Sequence, residues 1–249
     1  LQILKYTKEF FPKTVTIMGG PNFNNHNLEE YFLKRPFLDY YIVNQGETGF
    51  LNLINAYHEG KLDRYSKDRF CMDNVAYYNI FDKKVCMGDI SKRYKDLDII
   101  PSPILDGTLD KFFKDKNLIP IIETMRGCPF TCTYCAWGDD WLRAANRFSL
   151  ERVISEIEYV AKKFHSSKDS FNGYLYLADS NFGMHKRDSE IASKIRECHD
   201  KYNWPSSIWA TWAKNSNEKV IEIAAILGKS MLQAGVTIAY ESLDEETLK

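Results

Sequence analysis

The sequence has no apolar run long enough to cross a membrane, and its opening residues lack the layout of a secretory signal. It also lacks an excess of either charge. With 33 basic and 34 acidic side chains the net charge is −1, which gives no electrostatic reason to expect nucleic acid or an anionic membrane as a partner. Cysteine is scarce: six in 249 residues do not suggest a disulfide framework in a chain of this size. Three of the six are clustered, and clustered thiols need reducing surroundings, so the cytoplasm is the expected compartment. What is present is ordinary. At 44% hydrophobic and 27% charged the chain can bury a core, in one large domain or two smaller ones.

The clustered cysteines are Cys128, Cys132 and Cys135, spaced C-x3-C-x2-C within Arg126-Gly127-Cys128-Pro129-Phe130-Thr131-Cys132-Thr133-Tyr134-Cys135. An apolar run from Leu118 to Ile122 precedes them and reads as a buried strand, with Pro120 near its start, where a strand tolerates it. A loop this tight can turn three thiolates toward one point. A structural zinc site needs a fourth ligand, and the nearest candidates, Cys86 and His165, are distant in sequence. Three thiolates with one position left open suit an iron–sulfur cluster better, because the open iron can bind a substrate or cofactor.

The first 60 residues alternate strand and helix patterns. Thr14 to Met18 is a β-branched run ending in Gly19-Gly20-Pro21, and a helix pattern follows from a cap at Asn27. Asp39 to Val43 is a second strand, ending in Gln45-Gly46-Glu47 before a helix that carries Phe50, Leu51, Leu53, Ile54 and Tyr57. Such strand–glycine loop–helix repeats are a doubly wound α/β pattern, whose ligands bind at the carboxyl ends of the strands. His26 and His58 stand in no ligand motif.

Residues 61–117 read as a connector. A charged stretch from Lys61 to Arg69 leads to a hairpin, Val75–Tyr78 and Lys84–Met87, and a proline-rich extended linker to Pro103. Asp106 to Phe113 is expected to form a short helix. Cys71 and Cys86 fit buried or strand thiols better than ligands.

From residue 118 four strand–helix units can be counted. Their strands are Leu118–Glu123, Gly173–Ala178, Ser207–Thr211 and Gly235–Tyr240. The first helix, capped by Ser149, presents Val153, Ile154, Ile157, Val160, Ala161 and Phe164 on one face; Cys198 falls on the apolar stripe of the second. Repeated βα units with the cysteine loop after the first strand indicate a β/α barrel with its active site at the carboxyl ends of the strands. Four units would leave an unpaired strand edge. The chain also opens at Leu1 in mid-helix and stops at Lys249 where a helix has only begun, so it is expected to be a fragment of a longer protein.

The strand followed by Cys128-x3-Cys132-x-Tyr134-Cys135 resembles the cluster loop of the radical SAM superfamily, in which three cysteines hold a [4Fe-4S] cluster whose fourth iron chelates S-adenosylmethionine. Gly19-Gly20-Pro21 after one strand and Gly46-Glu47-Thr48-Gly49 after the next resemble the last part of the cobalamin-binding domain that precedes many radical SAM barrels. The fold this implies is α/β: the C-terminal part of a Rossmann-like cobalamin-binding domain (1–60), the connector (61–117), and an incomplete radical SAM TIM-like barrel (118–249).

The resemblance also implies site residues. Cys128, Cys132 and Cys135 would be the metal ligands. Tyr134, Asp179, Glu241 and Ser242 would contact S-adenosylmethionine, and Gly19, Gly20, Gly46 and Glu47 would lie against cobalamin. Asp179-Ser180-Asn181 stands where the family's usual Gly-Gly-Glu holds the methionine amino group, a departure seen as an Asp-rich variant in cobalamin-type members. Lys214 ends the third strand as a further candidate, Arg126 would order the loop, and Trp137, Trp141 and Arg143 face either substrate or packing. The implied reaction is reductive cleavage of S-adenosylmethionine with an electron from a flavodoxin- or ferredoxin-type donor, leading with cobalamin to methyl transfer onto a small-molecule substrate or biosynthetic intermediate. A cobalamin-independent radical SAM enzyme (a methylthiotransferase or oxidoreductase) and a non-catalytic iron–sulfur or zinc module are the other readings.

Overall fold

The computed structural model describes residues 1–20, 27–63, 70–132, 135, 143–166, 173–214, 217–232, 235–236, 244 and 246. The described residues divide into two compact units, the first made chiefly of residues 1–93 and the second chiefly of those from Tyr94 onward.

The first unit opens with α1 (Gln2–Phe10) and then alternates β1 (Ile17–Gly19), α2 (Leu28–Leu33), β2 (Tyr40–Ile42) and α3 (Gly46–His58). Helix α2 starts where the sequence offers a cap: the Asn27 side chain accepts the Glu30 N–H at 3.2 Å, satisfying one of the orphan donors of the first turn. Strands β1 and β2 pair in parallel, Ile17 opposite Tyr40 and Gly19 opposite Ile42. All three residues of β2 are buried, as a strand covered on both faces requires. Its pleat divides them between two cores. Tyr41 packs with Met18, Phe32, Leu38 and Val43. Tyr40 faces the other way, with Leu53, Ala56, Val75 and Tyr77. Helix α2 thus covers one face and α3 the other. Asp39, 4% exposed at the start of β2, accepts the Thr16 N–H at 2.8 Å and pairs with Lys8 at 2.6 Å.

The expected connector is corrected here. Its hairpin, β3 (Val75–Asn79) and β4 (Lys84–Met87), pairs antiparallel onto β2 and completes a sheet of order β1-β2-β3-β4. Strand β3 is buried on both faces, with Ala76 in the core of Tyr41 and Val75 and Tyr77 in the core of Tyr40, so the hairpin belongs to the first unit. The helix expected over Asp106 to Phe113 is also absent, apart from a single 3-10 turn at Phe112–Lys114. Gly107 there adopts φ +80°, and the Asp106 side chain accepts the Thr108 N–H at 2.8 Å, a local turn that competes with helix.

The second unit is a parallel layer. After β5 (Ile121–Ile122) come the short strands β6 (Met125–Arg126) and β7 (Asn146–Arg147), then α4 (Leu150–Ser166), β8 (Tyr174–Phe182), α5 (Arg187–Tyr202), β9 (Ser207–Trp212) and α6 (Asn217–Leu227). Strands β5, β8 and β9 form one parallel sheet in that order. The fourth strand expected from Gly235 lies largely outside the described residues.

The helices cover this sheet by the stripes the sequence shows. Helix α4 buries Val153, Ile157, Val160 and Ala161, and the Ser149 side chain accepts the Arg152 N–H at 3.2 Å as its cap. Each buried aliphatic side chain contributes on the order of 2 kcal/mol. Helix α5 buries Ile191, Ala192, Ile195 and Cys198, and burial pushes the Cys198 thiol up to about 11, as befits a core residue. The β6–β7 ladder pairs Met125 with Arg147 and Arg126 with Asn146, so the sequence holding the three clustered cysteines is bracketed by one two-residue ladder.

Candidate cofactor site at the strand ends

Strand β8 supplies the residues that organise the start of the cysteine loop. It runs four residues past the apolar stretch visible in sequence, with a register shift against β9 between Leu177 and Phe182. This extension carries Asp179, Ser180 and Asn181 into the sheet. Asp179 is 3% exposed. Its Oδ1 accepts the backbone N–H of Thr124 at 2.7 Å and of Met125 at 3.1 Å, and its Oδ2 accepts the Thr124 hydroxyl. Desolvation raises its pKa to about 6, against the lowering effect of those three hydrogen bonds. The carboxylate therefore grips the turn between β5 and β6. Two residues on, the Asn181 side-chain Nδ2 donates to Cys128 Sγ at 3.2 Å.

The approach to the loop is fixed locally as well. Arg126 pairs with Glu123, Nη2 to Oε2 at 2.8 Å and Nε to Oε1 at 3.1 Å, a forked arrangement within one turn. Gly127 has φ +113°, a conformation that side chains rarely adopt, and Cys128 follows at once. Beyond β8, the Asp188 carboxylate accepts the N–H groups of Gly183 and His185, each at 2.9 Å, and so shapes the turn into α5. Burial lowers the His185 pKa, with the nearby charge of Arg147 acting in the same direction.

All six cysteines are free thiols, and Cys128, Cys132 and Cys135 are each half-buried. Among the described residues no three Cys, His, Asp or Glu side chains are gathered closely enough to hold a metal ion. The structure therefore brings Asp179 and Asn181 to the start of the loop but does not draw the three thiols into one group. By its chemistry the donor set suits an iron–sulfur cluster: three soft, unpaired thiols on one loop. Tyr134, Trp137, Trp141, Glu241 and Ser242 lie outside the described residues. Arg143 is exposed and Lys214, just past β9, is half-buried.

In the first unit the four expected cobalamin contacts differ in what surrounds them. A Cβ on Gly19 would meet Ile42 O at 3.0 Å, so this glycine permits the close pairing of β1 with β2. Gly20, at φ +98°, and Gly46 have nothing within 4 Å of the Cβ position. Both follow the carboxyl ends of parallel strands, leaving open backbone where a flat ligand can approach, and Glu47 stands in the first turn of α3. These residues fit a ligand laid across the strand ends.

Thr124 and Glu123 are site residues that the sequence reading does not single out, and Asn181 enters it only as part of a polar run. The polar run Asp179-Ser180-Asn181 is the one signal for Asn181; nothing in the spacing marks Thr124.

No family model matches the chain. In fold the chain is similar to parts of two larger S-adenosylmethionine radical enzymes. The structure of the cobalamin-dependent S-adenosylmethionine radical enzyme OxsB, with aqua-cobalamin and S-adenosylmethionine bound, matches 99% of this chain and 34% of its own, with a TM-score of 0.60 and 18% identity. The radical S-adenosylmethionine methyltransferase TsrM from Kitasatospora setae matches 99% of this chain and 45% of its own, with a TM-score of 0.63 and 15% identity. In sequence, the chain is 29% identical over 254 residues to the cobalamin-dependent radical SAM methyltransferase TokK of Streptomyces tokunonensis. That alignment takes in 100% of this chain and 35% of TokK, so the chain spans about a third of the length of this relative. A 2-(S-pantetheinyl)-carbapenam-3-carboxylate methyltransferase of Streptantibioticus cattleyicolor is likewise 29% identical over 254 residues, so both methyltransferases align with the chain from end to end.

Proposed function

We propose that the protein is a cobalamin-dependent radical SAM enzyme, with a methyltransferase as its activity. The observation that carries the reading is the loop of three free thiols after β5, clamped by β6–β7 and met by β8, in a chain homologous to such enzymes. Cys128, Cys132 and Cys135 would hold a [4Fe-4S] cluster. Tyr134, Asp179, Glu241 and Ser242 are the residues assigned to S-adenosylmethionine. For Asp179 the hydrogen bonds to Thr124 and Met125 support an indirect role, holding the loop against which the cofactor lies. Gly20 and Gly46, with Gly19 and Glu47 beside them, would leave room for cobalamin.

When bound, the cluster and cobalamin supply the electron transfer that splits S-adenosylmethionine and the carriage of the methyl group. The chain's own part is to ligate, orient and exclude water. In this reading residues 1–60, with the hairpin Val75–Met87 completing their sheet, belong to the cobalamin-binding domain, and residues 118–249 belong to the barrel. The sheet β5-β8-β9 supports that assignment, being parallel and followed by a helix at each visible step. The electron donor would be a flavodoxin or ferredoxin and the substrate a small molecule. Among the described residues no helix is long and apolar enough to cross a membrane. The cytoplasm suits the three free thiols.

The test is anaerobic reconstitution of the full-length protein with iron and sulfide, followed by reductant and S-adenosylmethionine. Formation of 5'-deoxyadenosine or S-adenosylhomocysteine, lost when Cys128, Cys132 and Cys135 are replaced by alanine, supports the proposal. Zinc in place of iron, with neither product formed, would refute it.

A further inference from the structure

Asn181 is 2% exposed at the carboxyl end of β8, and its Nδ2 lies 3.2 Å from Cys128 Sγ. A carboxamide in that setting must place its N–H groups on an acceptor, since a buried donor without one carries the full desolvation cost. The acceptor is a sulfur, and a thiolate sulfur accepts better than a thiol. The contact is not incidental to a mobile side chain. Asp179, two residues back on the same strand, is bound to Thr124 and Met125, four and three residues before Cys128. One strand end therefore fixes both the approach to the loop and its first sulfur.

We propose that Asn181 is a positioning residue for the cysteine-held cluster, and that its N–H···S hydrogen bond at Cys128 raises the cluster's reduction potential. This rests on the cluster reading given above. A donor at a ligating sulfur withdraws electron density from it and favours the reduced state, which carries one more negative charge. Asn181 is thereby assigned to a cluster sulfur, not to the methionine amino group that the position in Asp179-Ser180-Asn181 would suggest. The step is a one-electron reduction of the oxidised cluster by an external reductant, with no bond made or broken at Asn181.

The experiment compares full-length wild type, Asn181→Leu and Asn181→Asp after anaerobic reconstitution, without S-adenosylmethionine or substrate. Both variants remove the N–H donor; aspartate keeps the shape if leucine impairs folding. Iron and sulfide per chain are measured first. The reduced cluster is then quantified by EPR over a series of poised potentials. Equal loading is expected, with the reduced-to-oxidised ratio at the wild-type midpoint lowered by about tenfold, which for one electron is about 59 mV. Equal loading with unchanged potentials would overturn the inference alone. So would folded variants that fail to load while wild type loads, because a tuning contact leaves ligation intact. Wild-type protein that takes up no iron and sulfide would overturn the cluster reading and the inference together.

Discussion

The backbone N–H of Thr124 meets Asp179 Oδ1 at 2.7 Å, joining the end of β5 to the end of β8 across 55 residues of sequence. The Thr124 hydroxyl and the Met125 N–H complete the grip. Replacing Asp179 by leucine would leave three buried donors without an acceptor, a loss of roughly 3 kcal/mol or more. Asparagine keeps the shape, accepts both N–H groups and can donate to the hydroxyl oxygen, so Asp179→Asn is expected to stay within about 1 kcal/mol of wild type at neutral pH. Urea unfolding of the two variants checks this.

The same carboxyl makes stability depend on pH. Its folded-state pKa is about 6, raised by desolvation from the ordinary aspartate value of 3.8. The native state therefore holds the proton more tightly than the unfolded chain. Stability is greatest below the unfolded pKa, falls as pH rises through the interval up to about 6, and is flat above it. The loss from this one group is about 3 kcal/mol at most. Asp179→Asn should flatten the slope over that interval, measured by urea unfolding at a series of pH values against wild type.

At Gly127 the loop needs φ +113°, which an L side chain adopts only under strain. Gly127→Ala is expected to destabilise the protein by about 1–2 kcal/mol. It should also slow the uptake of iron and sulfide, because the residue directly precedes Cys128. Thermal unfolding and the reconstitution rate measure the two effects separately.

Gly46 gives a cleaner test of the first unit. A Cβ there meets nothing within 4 Å, so Gly46→Leu should leave the fold of this unit intact. If cobalamin lies along these strand ends, the added side chain occupies its place, and affinity should fall by about tenfold or more, equivalent to about 1.4 kcal/mol. Corrin absorbance retained through gel filtration, with circular dichroism as the control, reads the outcome.

What the sequence shows most readily is what acts locally. The stripe Val153, Ile157, Val160, Ala161 and the caps Ser149 and Asn27 lie within a few residues of what they serve, and the structure has them in those roles. The strands β2, β8 and β9 are marked by their apolar and β-branched runs. The two-residue ladder β6–β7 has no periodicity to detect, being too short for alternation to register. The end of β8 reads as a loop because Asp179, Ser180 and Asn181 are polar, yet it stays in the sheet because Thr124, Met125 and Cys128 satisfy the side chains of Asp179 and Asn181 from 53 to 55 residues away. The hairpin Val75–Met87 was visible as a hairpin, but its place in the first sheet depends on pairing with β2, which no local pattern encodes. Gly19, Gly20 and Gly46 are legible as turns; only the open space at Gly20 and Gly46, and the crowding at Gly19, distinguishes them.

The central claim is that Cys128, Cys132 and Cys135 leave one iron free for S-adenosylmethionine. It is tested most directly by ENDOR spectroscopy of the reduced, reconstituted full-length protein with S-adenosylmethionine carrying a 15N-labelled amino group. The account predicts a 15N hyperfine coupling large enough for direct coordination to the cluster. A loaded, reduced cluster showing no such coupling would contradict it.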